Sequence, residues 1–123
     1  MTWDDDKVSA LYYDAVTNTD PSSATIVMDV DGTAYPMDWD GPATSETRWD
    51  GTARQEVTTW RRTAHTQTAF AGAAVTAAPG LTVLAAGTHV CEPRITIGTT
   101  VTPGRTFTIV ARAAATPLSL IHI

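Results

Sequence analysis

The stretch that decides the fold is TIVMDVDGTAYP, Thr25–Pro36, in which two runs of strand-forming residues flank Asp31-Gly32. Asp-Gly is a preferred pair for the two-residue turn of a β-hairpin, because both turn residues adopt positive φ. Apolar side chains occupy every second position before the turn and predict one buried face: Ile26, Met28 and Val30. The opposite face carries Val27 and Asp29 and leads to Asp31. The stretch therefore predicts a hairpin with one side in a core.

The chain after this hairpin keeps the features of strands. Pro36 has no N–H group, so it predicts an edge position or a bulge in the second strand. Trp39–Glu46 is typical of a turn, whereas residues 53–70 alternate for much of their length. The core residues expected further on are Leu81, Val83, Val90, Ile95, Ile97, Phe107, Ile109 and Val110. Turn signals near residues 31, 41, 51, 80, 87, 98 and 104 give a spacing that predicts an all-β sandwich or jelly-roll-like fold.

The residues before the hairpin, DDDKVSALYYDAV at 4–16, allow two interpretations. Four apolar side chains have helical spacing: Val8, Leu11, Tyr12 and Ala15. Asp4–Asp6 also suit a helix N-terminus, where the backbone dipole favours negative charge. The first interpretation therefore adds a short N-terminal helix to the β-rich fold. The competing interpretation is a strand through Ala10–Val16, because Tyr and Val favour sheets.

Composition and charge limit the classes of function. A chain of 123 residues predicts one domain, with a core that needs no cross-links. The net charge is −5: all ten aspartates lie before residue 51, and the seven arginines begin at Arg48. The acidic first half argues against nucleic-acid binding, and Arg61-Arg62 is too short for a basic patch. Cys91 is the only cysteine, so we expect no disulfide and a buried, inert thiol.

The two ends of the chain suggest how it is made and where it stops. MTWDDDK lacks the positive charge and apolar run of a signal peptide, and no stretch reaches transmembrane length. We expect synthesis in the cytoplasm, no membrane insertion, and release by lysis as part of a virion. Leu118–Ile123 matches a translation of a transposase adapter used in preparing DNA libraries, so His122 carries no functional weight. We expect one β-rich domain over residues 1–117, in a native chain that continues past Pro117.

Within the hairpin, IVMDVDGT at Ile26–Thr33 resembles motif I of the haloacid-dehalogenase-like phosphatases. The resemblance implies an α/β fold in which Asp29 attacks phosphorus and Asp31 protonates the leaving group. It also implies that Gly32 and Thr33 let the loop bend around Mg²⁺, which offsets the phosphate charge.

Other parts of that family's pattern have no counterpart in the chain. Motif III needs a lysine, and no lysine follows Lys7. Motif IV needs paired acidic residues, and only Glu56 and Glu92 occur beyond Asp50. The hairpin is therefore the preferred interpretation, and the Mg²⁺-dependent phosphatase is an alternative.

Carboxylates and histidines supply two further candidate sites. Oxygen-rich loops suit Ca²⁺, and the candidate ligands are Asp29, Asp31, Asp38 and Asp40. Their spacing is not that of an EF-hand, so we expect a solvated acidic surface and no bound metal. His65 and His89 have no nucleophile signature near them, so we expect both to be structural.

Aromatic residues supply the candidate sugar site: Tyr35, Trp39, Trp49 and Trp60. Exposed rings beside carboxylates can cover the apolar face of a sugar, but Trp and Tyr are also enriched in cores and oligomer interfaces. The tripeptide Trp-Asp-Gly occurs at residues 39–41 and 49–51. We interpret each copy as an anchoring aromatic followed by a turn.

Four stretches carry a second resemblance: DGTAYPMDWDGPA, RWDGTAR, FAG and LTVLAAGTHVCEPRITIG. In turn and aromatic style, residues 30–112 resemble small β-rich proteins from the tail and virion genes of phages of GC-rich bacteria. The resemblance implies a non-enzymatic structural or adsorption role. Its expected partners are copies of itself, other virion proteins and cell-surface glycan. Carbohydrate binding through the aromatic residues is the alternative function.

Overall fold

The computed structural model describes residues 1–114, and these residues form strands and connecting turns without a helix. This part of the chain therefore has no helix that could span a membrane. The adapter-like segment Leu118–Ile123 lies outside the described residues. The strands are β1 (Thr2–Trp3), β2 (Val8–Ser9), β3 (Tyr12–Thr17), β4 (Thr25–Val30), β5 (Thr33–Trp39), β6 (Thr44–Asp50), β7 (Gln55–Thr66), β8 (Ala69–Ala71), β9 (Leu81–Val83), β10 (Gly87–Ile97), β11 (Thr100–Pro103) and β12 (Phe107–Ala111).

These strands build two mixed sheets. The larger sheet is curled and follows the order β1-β12-β10-β4-β5-β7-β3, with β11 beside β10 and β6 beside β7. The smaller sheet has the order β2-β8-β9. The all-β, sandwich-like fold expected from the sequence is confirmed.

The predicted hairpin is formed by β4 and β5. Val30 pairs with Thr33 across a two-residue turn, in which Asp31 has φ 53° and Gly32 has φ 90°. Both angles lie in the left-handed region that this tight turn requires, and Gly and Asp tolerate it better than most residues. The predicted inner face is buried, with exposures of 4%, 0% and 4% for Ile26, Met28 and Val30.

Pro36 does not lie on a sheet edge, because β5 runs between β4 and β7. At Pro36 the pairing of β5 changes from β4 to β7. Val27–Pro36 is the first pair between β4 and β5, and pairing with β7 begins at Met37. The carbonyl of Pro36 accepts the N–H of Gln67 at 3.0 Å, so proline serves this position without an N–H of its own.

The expected N-terminal helix is wrong, and the competing strand is correct. β3 pairs antiparallel with β7 along its whole length, from Tyr12–His65 to Thr17–Trp60. This pairing satisfies the backbone and imposes a period of two on burial, so that Ala15 is 1% exposed while Tyr12 is 66% exposed. Val8, expected on the buried face of the helix, is 50% exposed. Sheet pairing therefore prevailed over the helical spacing.

The main core lies inside the curled sheet and extends to the smaller sheet at Phe70, whose ring packs against Tyr35. Its fully buried members include Trp3, Met28, Phe70, Cys91 and Ile109. Burial also raises the pKa of Cys91 to about 11, which agrees with an inert thiol.

Two of the residues expected in the core are exposed. Ile95 and Ile109 are buried as expected, but Val90 and Val110 are 47% and 41% exposed. The inward positions of β10 and β12 are the odd-numbered ones, such as Cys91 and Ile109, so their even-numbered neighbours face outward. Leu81, Val83, Ile97 and Phe107 are half-buried.

Candidate functional site

Asp29 lies at the end of β4 and is used by the hairpin itself. It is 8% exposed, its Oδ1 accepts the N–H of Gly32 at 2.8 Å, and its Oδ2 lies 3.3 Å from Nη1 of Arg94. Arg94 also donates from Nε to Glu92 Oε1 at 2.9 Å. β4 is antiparallel to both of its neighbours. The α/β fold implied by the phosphatase resemblance would make this strand parallel to its neighbours, and residues 1–114 also contain no crossover helix.

Asp31, in the hairpin turn, binds the start of β10. Its Oδ1 accepts the N–H of Val90 at 2.8 Å, and its Oδ2 lies 2.6 Å from Nδ1 of His89. The other ring nitrogen of His89, Nε2, lies 2.7 Å from the carbonyl oxygen of Ala85. Both ring nitrogens face acceptors, so only the protonated imidazole can donate two hydrogen bonds.

The electrostatics of this pair agree with a protonated ring. Burial lowers the pKa of His89, but the hydrogen bonds to the Ala85 carbonyl and to Asp31 outweigh burial and leave the pKa raised. The pKa of Asp31 is lowered, chiefly by the hydrogen bond from His89 and then by that from the Val90 amide. His89 and Asp31 are therefore more stable as an ion pair than as two neutral groups.

We expect the protein to lose stability as the pH rises through the raised folded-state pKa of His89. The unfolded chain titrates near the ordinary histidine value of about 6.5. The contribution of His89 is thus complete below that value and is lost above the folded pKa. The contribution of Asp31 has the opposite sign and is lost as the pH falls below about 4.

Urea unfolding at a series of pH values tests this expectation. The comparison is between the parent protein and His89→Gln, which both retain His65. The pH dependence should become shallower in the variant. An unchanged slope would show that His89 is not the group responsible.

The carboxylates proposed for a metal site do not converge. Asp29 and Asp31 lie at one end of the β4–β5 hairpin, while Asp38 and Asp40 lie at or beyond the other end of β5. Asp38 accepts the side-chain N–H of Gln67 at 2.8 Å. Within residues 1–114, no three His, Cys, Asp or Glu side chains come together as a metal-binding group.

His65 has a structural setting on the outer face of the curled sheet. Its Nδ1 pairs with a carboxylate oxygen of Asp40, and its ring lies 5.9 Å from the ring of Tyr12. Tyr12 is also its cross-strand partner. These contacts join β3, β7 and the residue that follows β5.

Two of the four residues proposed to bind sugar are held in the body of the protein. Tyr35 is half-buried and packs edge-on against Phe70, with the ring centroids 5.0 Å apart. Trp39 donates from Nε1 to the carbonyl of Ala24 at 2.9 Å, and the guanidinium of Arg62 lies 4.7 Å from its ring centroid. The first Trp-Asp-Gly tripeptide therefore carries an anchoring aromatic, as predicted.

The region around the second tripeptide has a different structure. The expected turn over Trp39–Glu46 is shorter than predicted, because β6 begins at Thr44. Within residues 1–114, β6 pairs only with β7, and residues 55–59 of β7 pair only with β6. We call this two-stranded hairpin, residues 44–59, the arm. None of its side chains is buried, so the core does not cover it.

Trp49 and Trp60 share one face of this hairpin. Trp49 pairs with Glu56 and Trp60 with Ser45, and alternate residues of β7 lie on the same face. The hydroxyls of Thr47 and Thr58 lie 2.8 Å apart between them. Trp49 is 64% exposed and Trp60 is half-buried. Trp60 lies four residues along β7 from Glu56, the partner of Trp49, so the two tryptophan positions are roughly 13 Å apart along the strand direction.

Sequence reasoning did not find a groove of about 530 Å³ between β1 and the start of β3. Its apolar lining includes Trp3, Leu11, Tyr13 and Phe107, and Nζ of Lys7 lies 5.3 Å from the ring centroid of Trp3. These residues come from separate segments, so no local motif marks the groove.

Comparisons with protein-family models, with curated proteins and with solved structures find no match to this chain.

Proposed function

We propose that the chain is a non-enzymatic structural module of a phage virion or tail, which assembles with copies of itself or with other virion proteins. The observation that supports this proposal is the uncovered arm. An isolated two-stranded hairpin is marginally stable in water, so an extended one gains from a further strand. Trp49 at its far end is 64% exposed, and aromatic side chains of this kind are enriched in interfaces.

The polar side chains near the hairpin turn support the same proposal. Asp29, Asp31 and His89 are engaged with Arg94 and with backbone groups. They tie distant strands together, which is a structural use of groups that an enzyme would direct at a substrate. The phosphatase alternative would predict Mg²⁺-dependent hydrolysis of a phosphate ester, lost in Asp29→Asn.

The virion setting comes from the resemblance of residues 30–112 to small phage proteins. Virions are built by symmetric repetition, which reuses one self-complementary surface many times. The proposed location is the virion, reached after synthesis in the cytoplasm and released by lysis.

Removing the arm should abolish assembly without unfolding the protein. The variant replaces residues 46–59 by Asn-Gly, which joins the paired residues Ser45 and Trp60 through a two-residue turn. No buried side chain is lost, so the circular dichroism spectrum and cooperative unfolding should be retained. Light scattering should show the mass of a single chain. A folded variant that still assembles like the parent would contradict the role of the arm.

The second candidate function is carbohydrate binding by Trp49 and Trp60, favoured by their common face with two threonine hydroxyls between them. Titration with soluble bacterial cell-wall oligosaccharides should then shift tryptophan fluorescence, and Trp49→Ala should lose most of the shift. Tyr12→Ala, which removes an exposed aromatic outside the arm, is the matched control. An equal response in both variants would exclude this face as the sugar site.

A further inference from the structure

We propose that the arm pairs with the arm of a second copy, through antiparallel pairing of β6 with β6 about a two-fold axis at Thr47. The product is a four-stranded sheet shared by two chains. This inference rests on the proposed function, because it names the surface through which the module assembles.

The backbone of β6 leaves the required groups free. β3 lies along one edge of β7, so β5 and β6 lie along the other. The N–H of Asp40 donates to the carbonyl of Thr63 at 2.8 Å, so the odd-numbered residues of β7 bond towards that second edge. Hydrogen-bonding direction alternates along an antiparallel strand, so the backbone N–H and C=O groups of every second β6 residue point away from β7. These residues are Ser45, Thr47 and Trp49. In the described part of the chain, these outward groups have no hydrogen-bond partner.

Charge selects the register of the pairing. With Thr47 opposite Thr47, Glu46 lies opposite Arg48 of the second copy, and the symmetric pair repeats this contact. Neither side chain has an ion-pair partner within residues 1–114, and opposite charges facing across two strands stabilise a sheet. The nearest alternative symmetric registers centre the axis on Glu46 or on Arg48. Each places like charges opposite one another, which is unfavourable.

The other face of the shared sheet would cover the exposed tryptophan. Trp49 of the second copy lies opposite Ser45, whose neighbour on β7 is Trp60. The small serine leaves room for the two indoles to lean towards each other across it. Thr58 and Thr47 of both chains form a continuous row, which extends the hydroxyl contact already present within one arm. Both faces of the arm therefore fit a second copy in the same register.

Cysteine cross-linking tests the axis. Thr47→Cys places two thiols on opposed, hydrogen-bonded residues with Cα atoms about 5.5 Å apart, within the disulfide range. Thr58→Cys is the matched control. Position 58 of one chain lies three strand spacings, roughly 14 Å, from position 58 of the other. The native Cys91 is fully buried and does not interfere. Mild oxidation should give a disulfide dimer of Thr47→Cys and little of Thr58→Cys. Equal cross-linking of both, or none of either, would overturn the proposed axis.

Charge exchange tests the register. Arg48→Glu and Glu46→Arg, each alone, should weaken self-association by about tenfold or more, because like charges then face across the axis. Mixing the two variants should restore association between unlike chains, and the double variant Glu46→Arg/Arg48→Glu should restore it by itself. The arm lies outside the core, and circular dichroism checks that each variant is folded.

Self-association of the parent protein distinguishes a failure of this interface from a failure of the proposed function. If it self-associates while the single charge variants associate equally well, this interface is wrong and the proposed assembly function survives. If the parent stays a single chain at every concentration, both fall.

Discussion

Phe70→Ala is expected to lower the free energy of unfolding by about 4 kcal/mol. Phe70 lies on β8 of the smaller sheet, is fully buried, and packs edge-on against Tyr35 of the curled sheet. Its removal opens a cavity between the two sheets, which adds to the lost burial of the ring. Urea unfolding followed by circular dichroism measures the loss.

Phe107→Ala is the control for this variant, because Phe107 is only half-buried on β12. It should lose less than half as much stability as Phe70→Ala. If both variants lost the same amount, or Phe70→Ala lost less than about 1 kcal/mol, Phe70 would not be the residue that joins the two sheets.

Gly72→Ala is expected to cost about 3 kcal/mol, at the upper end of ordinary overpacking. An added Cβ would lie 2.4 Å from the carbonyl oxygen of Asp5 and 2.6 Å from that of Asp4. These are backbone atoms that no side-chain rotation can move aside. The N–H of Gly72 also donates to the carbonyl of Lys7 at 2.8 Å, so separating the two segments would break this bond.

Gly51→Ala provides the matched control in the same unfolding experiment. Gly51 has nothing within 4 Å of an added Cβ and lies outside the left-handed region. Its substitution should change the free energy of unfolding by less than about 0.5 kcal/mol. Equal costs at the two glycines would contradict the close approach at Gly72.

The hairpin could be predicted because its cues are local. Asp31 and Gly32 suit the positive φ angles of the turn, and the alternation of Ile26, Met28 and Val30 sets the buried face. No contact with a distant residue was needed to recognise either cue.

The incorrect predictions came from features that depend on distant pairing. Residues 4–16 suit a helix by spacing, but β7 supplies the partner that makes Tyr12–Thr17 a strand. The wrong assignment of Val90 and Val110 to the core has a related cause, since their apolar character did not reveal which face of each strand is inward.

The contacts of the candidate site residues also depend on pairing between distant segments, so local sequence did not predict them. The partners of Asp29 and Asp31 are Arg94 and His89, residues brought near by the pairing of β4 with β10. The two Trp-Asp-Gly tripeptides look alike, yet Trp39 lies against the body of the protein and Trp49 projects from the arm. Only the strand order separates these outcomes.

The measurement that tests the central claim most directly is the molar mass of the parent protein by light scattering, over a range of concentrations. Assembly through the arm predicts a mass of two chains or more at micromolar concentration, falling to one chain on dilution. The mass of one chain at every concentration would contradict the account of this protein as an assembling module.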